Sequence, residues 1–246
     1  MPYNHIIVEK IDGIAKIILN RPRARNAVTE ELLTELVAAL EDIEKDDRVH
    51  VVILSGAGRA FSAGRDLKGV MEGRERAGGS RYRALEDLSK PVIAAVHGYC
   101  FTGSFELVMC ADMIIASEDA VFADTHARFG IVPGGGQTQR LPRQIGAKKA
   151  KELLFTCEQI SAREAERLGI VNRVVPRENL DEAAMEMAEK ILRNIPETIS
   201  TIKTLINQGM KTDLDKALGL ESEVHKGPIS PTEEGRRRIA SLLEKR

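Results

Sequence analysis

The stretch from Lys90 to Asp112, KPVIAAVHGYCFTGSFELVMCAD, constrains this chain more than any other. Pro91 opens an apolar run to Val96 whose length and β-branched content suit a strand buried on both faces. His97 and Gly98 end it. From Gly103 onward, small residues lead into Phe105, Glu106, Leu107, Val108 and Met109, whose apolar positions suit a helix start packed against that strand. A carboxylate set between Phe105 and Leu107 either complements the helix dipole or is held in a cleft for chemistry. This stretch alone does not choose between the two.

A second stretch bears on that choice. Val49 to Leu54 reads as another buried strand and empties into SGAGRAFSAGRDLKG, Ser55 to Gly69. A strand, a glycine-rich turn and a polar helix start leave backbone N–H groups pointing into a cleft. The motifs FSAGRDLK (Phe61 to Lys68), KPVIAAVHGYCFTGSFEL (Lys90 to Leu107), FGIVPGGGQTQRLPRQIG (Phe129 to Gly146) and ISAREAERLGIVNRVVP (Ile160 to Pro176) follow in an order that resembles the crotonase family, the enoyl-CoA hydratases and isomerases. The resemblance covers nearly the whole chain. It implies an α/β fold, a crotonase-like spiral of repeated ββα units over residues 1–194 that carries an acyl-CoA site, and a C-terminal helical trimerisation region over residues 195–246.

Bulk properties narrow the alternatives. With 246 residues the chain is long enough for one substantial core. The 36 basic and 37 acidic residues leave a net charge of −1, so no global field draws nucleic acid or an anionic membrane. The absence of Trp and the scarcity of other aromatics argue against base-stacking surfaces. No apolar run approaches a membrane span, and MPYNHIIVEK has no signal-peptide core; the expected location is cytoplasmic. Cys100, Cys110 and Cys157 are odd in number and set among apolar neighbours, which favours buried thiols over disulfides or a metal site.

Along the chain, His5 to Lys10 and Ile14 to Leu19 flank Asp12-Gly13, a strong hairpin signal. Thr29 with Glu30 and Glu31 makes an N-cap and an acidic first turn, and Leu32, Leu33, Leu36, Val37, Leu40 and Ile43 repeat at helical spacing. The weakly periodic piece Glu72 to Arg83 is expected as a mobile loop or helix over the acyl pocket. Strand Met113 to Ala116 is followed by IVPGGGQTQR, Ile131 to Arg140, whose three glycines invite a phosphate-loop reading. It lacks the Gly-Lys-Ser/Thr ending such a loop needs, so a tight turn before a closely packed helix explains it better. Helices are expected at Lys148 to Phe155, Ser161 to Leu168 and Leu180 to Arg193, with a short extended piece at Val171 to Val175. After Pro196, helical patterns at Thr198 to Met210, Leu214 to His225 and Thr232 to Lys245 must bury their apolar stripes on the core or on another subunit. In crotonases this region resembles the helices that build trimers, usually paired into hexamers.

The chemistry follows from the acyl thioester. Negative charge developing on its carbonyl oxygen is accepted by preorganised donors, and by match to the family these are the backbone amides of Arg65 and Gly103. The resemblance also places Arg23, Arg25, Ala63, Asp66 and Lys68 near coenzyme A, which is part of the substrate; no separate cofactor and no metal are expected. For Arg23 and Arg25 the alternative is a solvated loop, for Asp66 a helix cap, for Lys68 a solvated charge. The Arg65 side chain is a further candidate for the CoA phosphates.

Hydratases of the family use two Glu residues on one water. Glu106 falls on the first position, but His126 occupies the second, by alignment of VFADTHARFGIVPGGG, Val121 to Gly136. His126 either exchanges the proton with Cα or positions the water, or it shapes the pocket, or it has no role in the site. Asp124, a full strand step away, is a weaker candidate for a second carboxylate, and Arg128 could pair with it. The leading function is reversible addition of water to a trans-2-enoyl-CoA with Glu106 as general base. Thioester hydrolysis, isomerisation, decarboxylation and non-catalytic acyl-CoA binding are the alternatives. Phe101, Phe105, Phe122, Met71 and Tyr82 are candidate acyl-channel residues, and a homotrimer or dimer of trimers is the expected assembly.

Overall fold

The structure is a computed structural model that describes residues 3–76, 79–224 and 230–244. The chain opens with a hairpin, β1 (Ile6–Ile11) and β2 (Ile14–Leu19), paired antiparallel. Its turn is Asp12 and Gly13 with φ of 47° and 85°, the two left-handed positions that a two-residue hairpin loop requires. Helix α1 (Glu30–Glu44) follows, capped by Thr29, whose side chain accepts from the Leu32 amide. It buries Leu32, Leu33, Leu36, Leu40 and Ile43.

Strand β3 (Val51–Gly56) then pairs parallel to β2. The short helix α2 (Leu67–Met71) and the helix α3 (Gly79–Asp87) precede β4 (Val92–Val96), which pairs parallel to β3. β4 is buried along its whole length because it has helices on both faces. Val92, Ala94 and Val96 join the main core, while Ile93 and Ala95 join a second cluster under α8 (Leu180–Leu192). A strand buried on two sides gains apolar contact from every residue, which is why its sequence does not alternate.

At Gly98 (φ 53°) the chain reverses against the Arg59 carbonyl, where a Cβ would lie 2.3 Å from the oxygen. It then forms β5 (Tyr99–Phe101) and α4 (Gly103–Val108). β6 (Met113–Ser117) and β7 (Val121–Ala123) repeat the pattern. α5 (Gln137–Ile145), α6 (Ala147–Thr156), β8 (Ile160–Ser161), α7 (Ala162–Arg167) and β9 (Arg173–Val175) complete the body with α8. Among the described residues the strands form two sheets, a six-stranded one ordered β1-β2-β3-β4-β6-β9 and a three-stranded one ordered β5-β7-β8. This is the spiral of strand pairs and helices expected from the sequence. β5 was not anticipated: the reading ended its strand at His97-Gly98, and three residues are too few to show periodicity.

The tail is helical: α9 (Pro196–Gly209), α10 (Leu214–Val224) and α11 (Glu233–Leu243). The ends expected at His225 and Lys245 lie outside the described residues. α9 is held to the body by Lys203, whose Nζ donates to Asp112 Oδ2 at 2.8 Å, the Lys90 carbonyl at 3.0 Å and the Leu85 carbonyl at 3.3 Å. A groove of about 870 Å³ runs beside it, lined by Met109, Arg140, Ile202, Ile206 and Met210. Ile206, Met210, Leu214, Leu218, Ile239 and Leu242 are all exposed. Among the described residues no helix is long and apolar enough to cross a membrane.

Candidate active site

The two turns expected to supply backbone donors lie side by side. The Ser62 amide donates to the Tyr99 carbonyl at 2.9 Å, the Phe101 amide to the Ser62 carbonyl at 3.2 Å, and Ser104 Oγ to that same Ser62 oxygen at 2.8 Å. A Cβ on Gly64 would stand 2.6 Å from the Phe101 carbonyl, so only glycine permits this approach.

Arg65 forms an isolated bridge to Val28, with the Gly64 carbonyl accepting from Val28 and the Asp66 amide donating to it. In such a bridge the N–H of the central residue faces away from its partner, here away from Val28. Gly103 is the first residue of α4, so its N–H has no acceptor within the helix. Thr102 before it is held at φ 52°, ψ −111°, a costly backbone for a β-branched residue. Its amide bonds the Ala123 carbonyl at 2.7 Å and its hydroxyl bonds Thr125 at 2.7 Å. Among the described residues neither the Arg65 nor the Gly103 amide donates to a protein acceptor.

A cavity of about 430 Å³ lies here, lined by Arg65 and by Thr102, the residue before Gly103; its walls also include Ala63, Tyr82, Glu106, His126 and Gly135, with Leu67, Val70, Ile131 and Val132 as its apolar part. Glu106 sits one turn into α4 and is buried. Its Oε1 accepts from the Gly135 amide at 2.6 Å and the Gln137 amide at 3.4 Å, and its Oε2 lies 3.8 Å from His126 Nε2. Burial raises the carboxyl above its ordinary pKa, while His126 and the two amides pull the other way. A buried carboxyl held by two amides beside an imidazole suits proton transfer.

His126 presents Nε2 to Glu106 and turns Nδ1 to Asp124, 2.9 Å from Oδ1 and 3.0 Å from Oδ2. Asp124 is therefore not a strand step away. β7 ends at Ala123, the backbone at His126 is helical (φ −55°, ψ −47°), and the carboxylate folds back under the ring. Arg128 does not pair with Asp124; its guanidinium reaches the Cys157 carbonyl at 3.5 Å.

The remaining expected residues are distributed as follows. Ala63 lines the cavity and donates its amide to the Arg25 carbonyl at 2.9 Å. Arg23 and Arg25 are exposed outside the cavity, and the Arg25 guanidinium lies 5.7 Å from the Tyr99 ring centre. Asp66 caps α2 through the Lys68 and Gly69 amides and pairs with Arg21 at 3.5 Å; Lys68 projects into solvent.

The Arg65 side chain does not reach outward to a phosphate position. It is drawn inward to Glu30 at 2.6 Å and Glu75 at 2.7 Å. Tyr82 and Phe101 line the cavity, but Phe105 and Phe122 pack on each other in the core with ring centres 5.5 Å apart, and Met71 is exposed. The reading missed the Gly135 and Gln137 amides on Glu106, because a glycine turn gives no sign of which side chain its N–H groups will meet. It also missed how closely Tyr82 approaches Gly103, where a Cβ would lie 2.9 Å from the Tyr82 hydroxyl.

Residues 9–246 match the family model for enoyl-CoA hydratase/isomerase. A short-chain-enoyl-CoA hydratase of Clostridium acetobutylicum is 41% identical over all of this chain and 97% of its own length. A crotonyl-CoA hydratase of Syntrophomonas wolfei is 38% identical with the same coverage. The crystal structure of an enoyl-CoA hydratase from Bacillus anthracis superposes with a TM-score of 0.90 at 38% identity, covering 99% of this chain and 97% of that one. The chain belongs to the enoyl-CoA hydratase/isomerase family.

Proposed function

We propose a division of labour for this enoyl-CoA hydratase of the crotonase superfamily. The Arg65 and Gly103 amides receive the thioester oxygen, Glu106 takes a proton from water as it adds to Cβ, and His126 supplies the proton to Cα. The observation that carries the reading is the pairing of Glu106 Oε2 and His126 Nε2, 3.8 Å apart on one cavity wall beside the two donor turns. Two preorganised amides stabilise the enolate that forms as the double bond is spent, and a base with a neighbouring acid matches the two proton transfers of hydration.

The substrate we assign is a short trans-2-enoyl-CoA. The relatives named for short-chain and crotonyl substrates support this, as does a cavity with the buried Arg65–Glu75 pair and Tyr82 in its wall. Arg23 and Arg25, exposed on the turn whose Arg25 carbonyl accepts from the Ala63 amide, are the cations we assign to the outer part of coenzyme A. The apolar stripes on α9 to α11 support assembly into a trimer or a dimer of trimers, and three buried free thiols fit a reducing cytoplasm.

The test is a steady-state assay with crotonyl-CoA. Loss of the conjugated enoyl absorbance without release of free thiol is expected. Glu106→Gln is expected to lower turnover by about 10³-fold while the CoA ester still binds. Thiol release in place of hydration, or full activity in Glu106→Gln, would reject the reading.

A further inference from the structure

We infer that Asp124 is a positioning residue for this reaction: its carboxylate fixes His126 with the proton on Nδ1 and Nε2 aimed at Glu106 and the cavity. The inference rests on the hydratase reading and adds to it the group that makes an imidazole serviceable there. Among the described residues the Asp124 carboxylate accepts only from His126, through the backbone amide at 3.0 Å and through Nδ1 at 2.9 Å and 3.0 Å. Both residues are buried. An ionised carboxylate has no proton to give, so the nitrogen it contacts must be the donor. Nε2 is then the nitrogen left for chemistry; in the cycle it starts with a proton of its own, the Asp124 carboxylate balancing the charge on the ring.

Proton bookkeeping closes on this arrangement. Water loses a proton to Glu106 as its oxygen bonds to Cβ. The π pair moves through the enolate to Cα, where a C–H bond forms with the proton of Nε2–H. Glu106 ends protonated and His126 neutral with Nδ1–H still held by Asp124. The proton then returns from Oε2 to Nε2 through a water bridging the 3.8 Å gap, and the site is restored. The other charged or titratable groups lining this space are Arg65, Glu75, Arg76, Tyr82 and Arg128. Among the described residues none of them hydrogen-bonds the ring.

Asp124→Asn keeps the size of the side chain, but it removes the negative charge and turns one of the two oxygens that face Nδ1 into a donor. With Oδ1 still on the backbone amide, the NH₂ group at the Oδ2 position opposes an Nδ1–H and is expected to leave the ring proton on Nε2. The imidazolium is lost, and neutral Nε2–H is a poor acid that cannot accept the returning proton.

In the full-length protein, Asp124→Asn is expected to lower kcat for crotonyl-CoA by roughly 10²- to 10⁴-fold, with KM little changed, the range spanned by loss of a positioned acid and by tautomer loss in a His-Asp pair. In a His126→Gln background the same substitution is expected to cost nothing further. Nitrogen NMR of the His126 ring is expected to show Nδ1 protonated in the wild type and bare in Asp124→Asn, where only Nε2 keeps a proton. Equal kcat in Asp124→Asn and wild type, a loss that adds to that of His126→Gln, or a wild-type ring with bare Nδ1 would each overturn the inference. A wild type that hydrates no enoyl-CoA rejects the reaction, whereas the ring protonation stands or falls on the NMR signal alone.

Discussion

Glu106 is kept in a place that works against the fold. Burial raises its pKa above the unfolded value, so its contribution to stability is complete below the unfolded pKa and is lost as pH rises through the folded one. At neutral pH the ionised form is a net cost that function retains. Glu106→Gln keeps an oxygen for the Gly135 and Gln137 amides and removes the charge. Its Tm at pH 7 is therefore expected to exceed that of the wild type by a few degrees, and the difference to shrink as pH is lowered, both measurable by calorimetry. The same shift governs rate: a base must be ionised, so kcat/KM is expected to fall on the acid side through a pKa above the ordinary carboxylate range. An acid limb at or below that range would contradict the assignment.

Single elements hold the site in shape, and two of them can be tested directly. In the glycine turn before α5, a Cβ on Gly135 would lie 2.6 Å from both Glu106 Oε2 and the Tyr82 ring. Gly135→Ala is expected to displace the carboxylate and reduce kcat by about 10²-fold, with a smaller effect on unfolding by urea. At the start of the tail, burial raises the Asp112 carboxyl while Lys203 opposes it. Lys203→Met leaves that carboxylate without a cation and is expected to cost about 3 kcal/mol, read as a shifted denaturation midpoint and faster hydrogen exchange in α9.

Much of this was legible from residues alone. Asp12-Gly13 announced the hairpin, Thr29 the start of α1, and the doubly buried strands their own positions, because those signals are local. The family motifs pointed to Glu106, His126 and the two donor turns. The destination of the Arg65 side chain was not legible, since its partners Glu30 and Glu75 come from other elements. Nor was the Asp124–His126 contact, which depends on the chain leaving extended geometry after Ala123.

At the scale of the whole molecule, the body satisfies its own core while the tail leaves apolar residues facing outward. Ile206, Met210, Leu214, Leu218, Ile239 and Leu242 are exposed on α9 to α11, the kind of apolar surface that the proposed subunit contact would cover. Leu242→Glu is expected to lower the oligomeric state in sedimentation without changing the far-ultraviolet spectrum of the protein. A wild type that sediments as a monomer would remove the assembly proposal.

Glu30, far from the reacting atoms in sequence, accepts from Arg65 at 2.6 Å and from the Arg76 amide at 3.0 Å, and pairs with Arg81 at 2.6 Å. One carboxylate thus latches the donor turn, the segment after α2 and helix α3 together. Weakening that latch with Glu30→Gln is expected to free the three pieces from one another, read as faster hydrogen exchange in α3 and in the segment after α2.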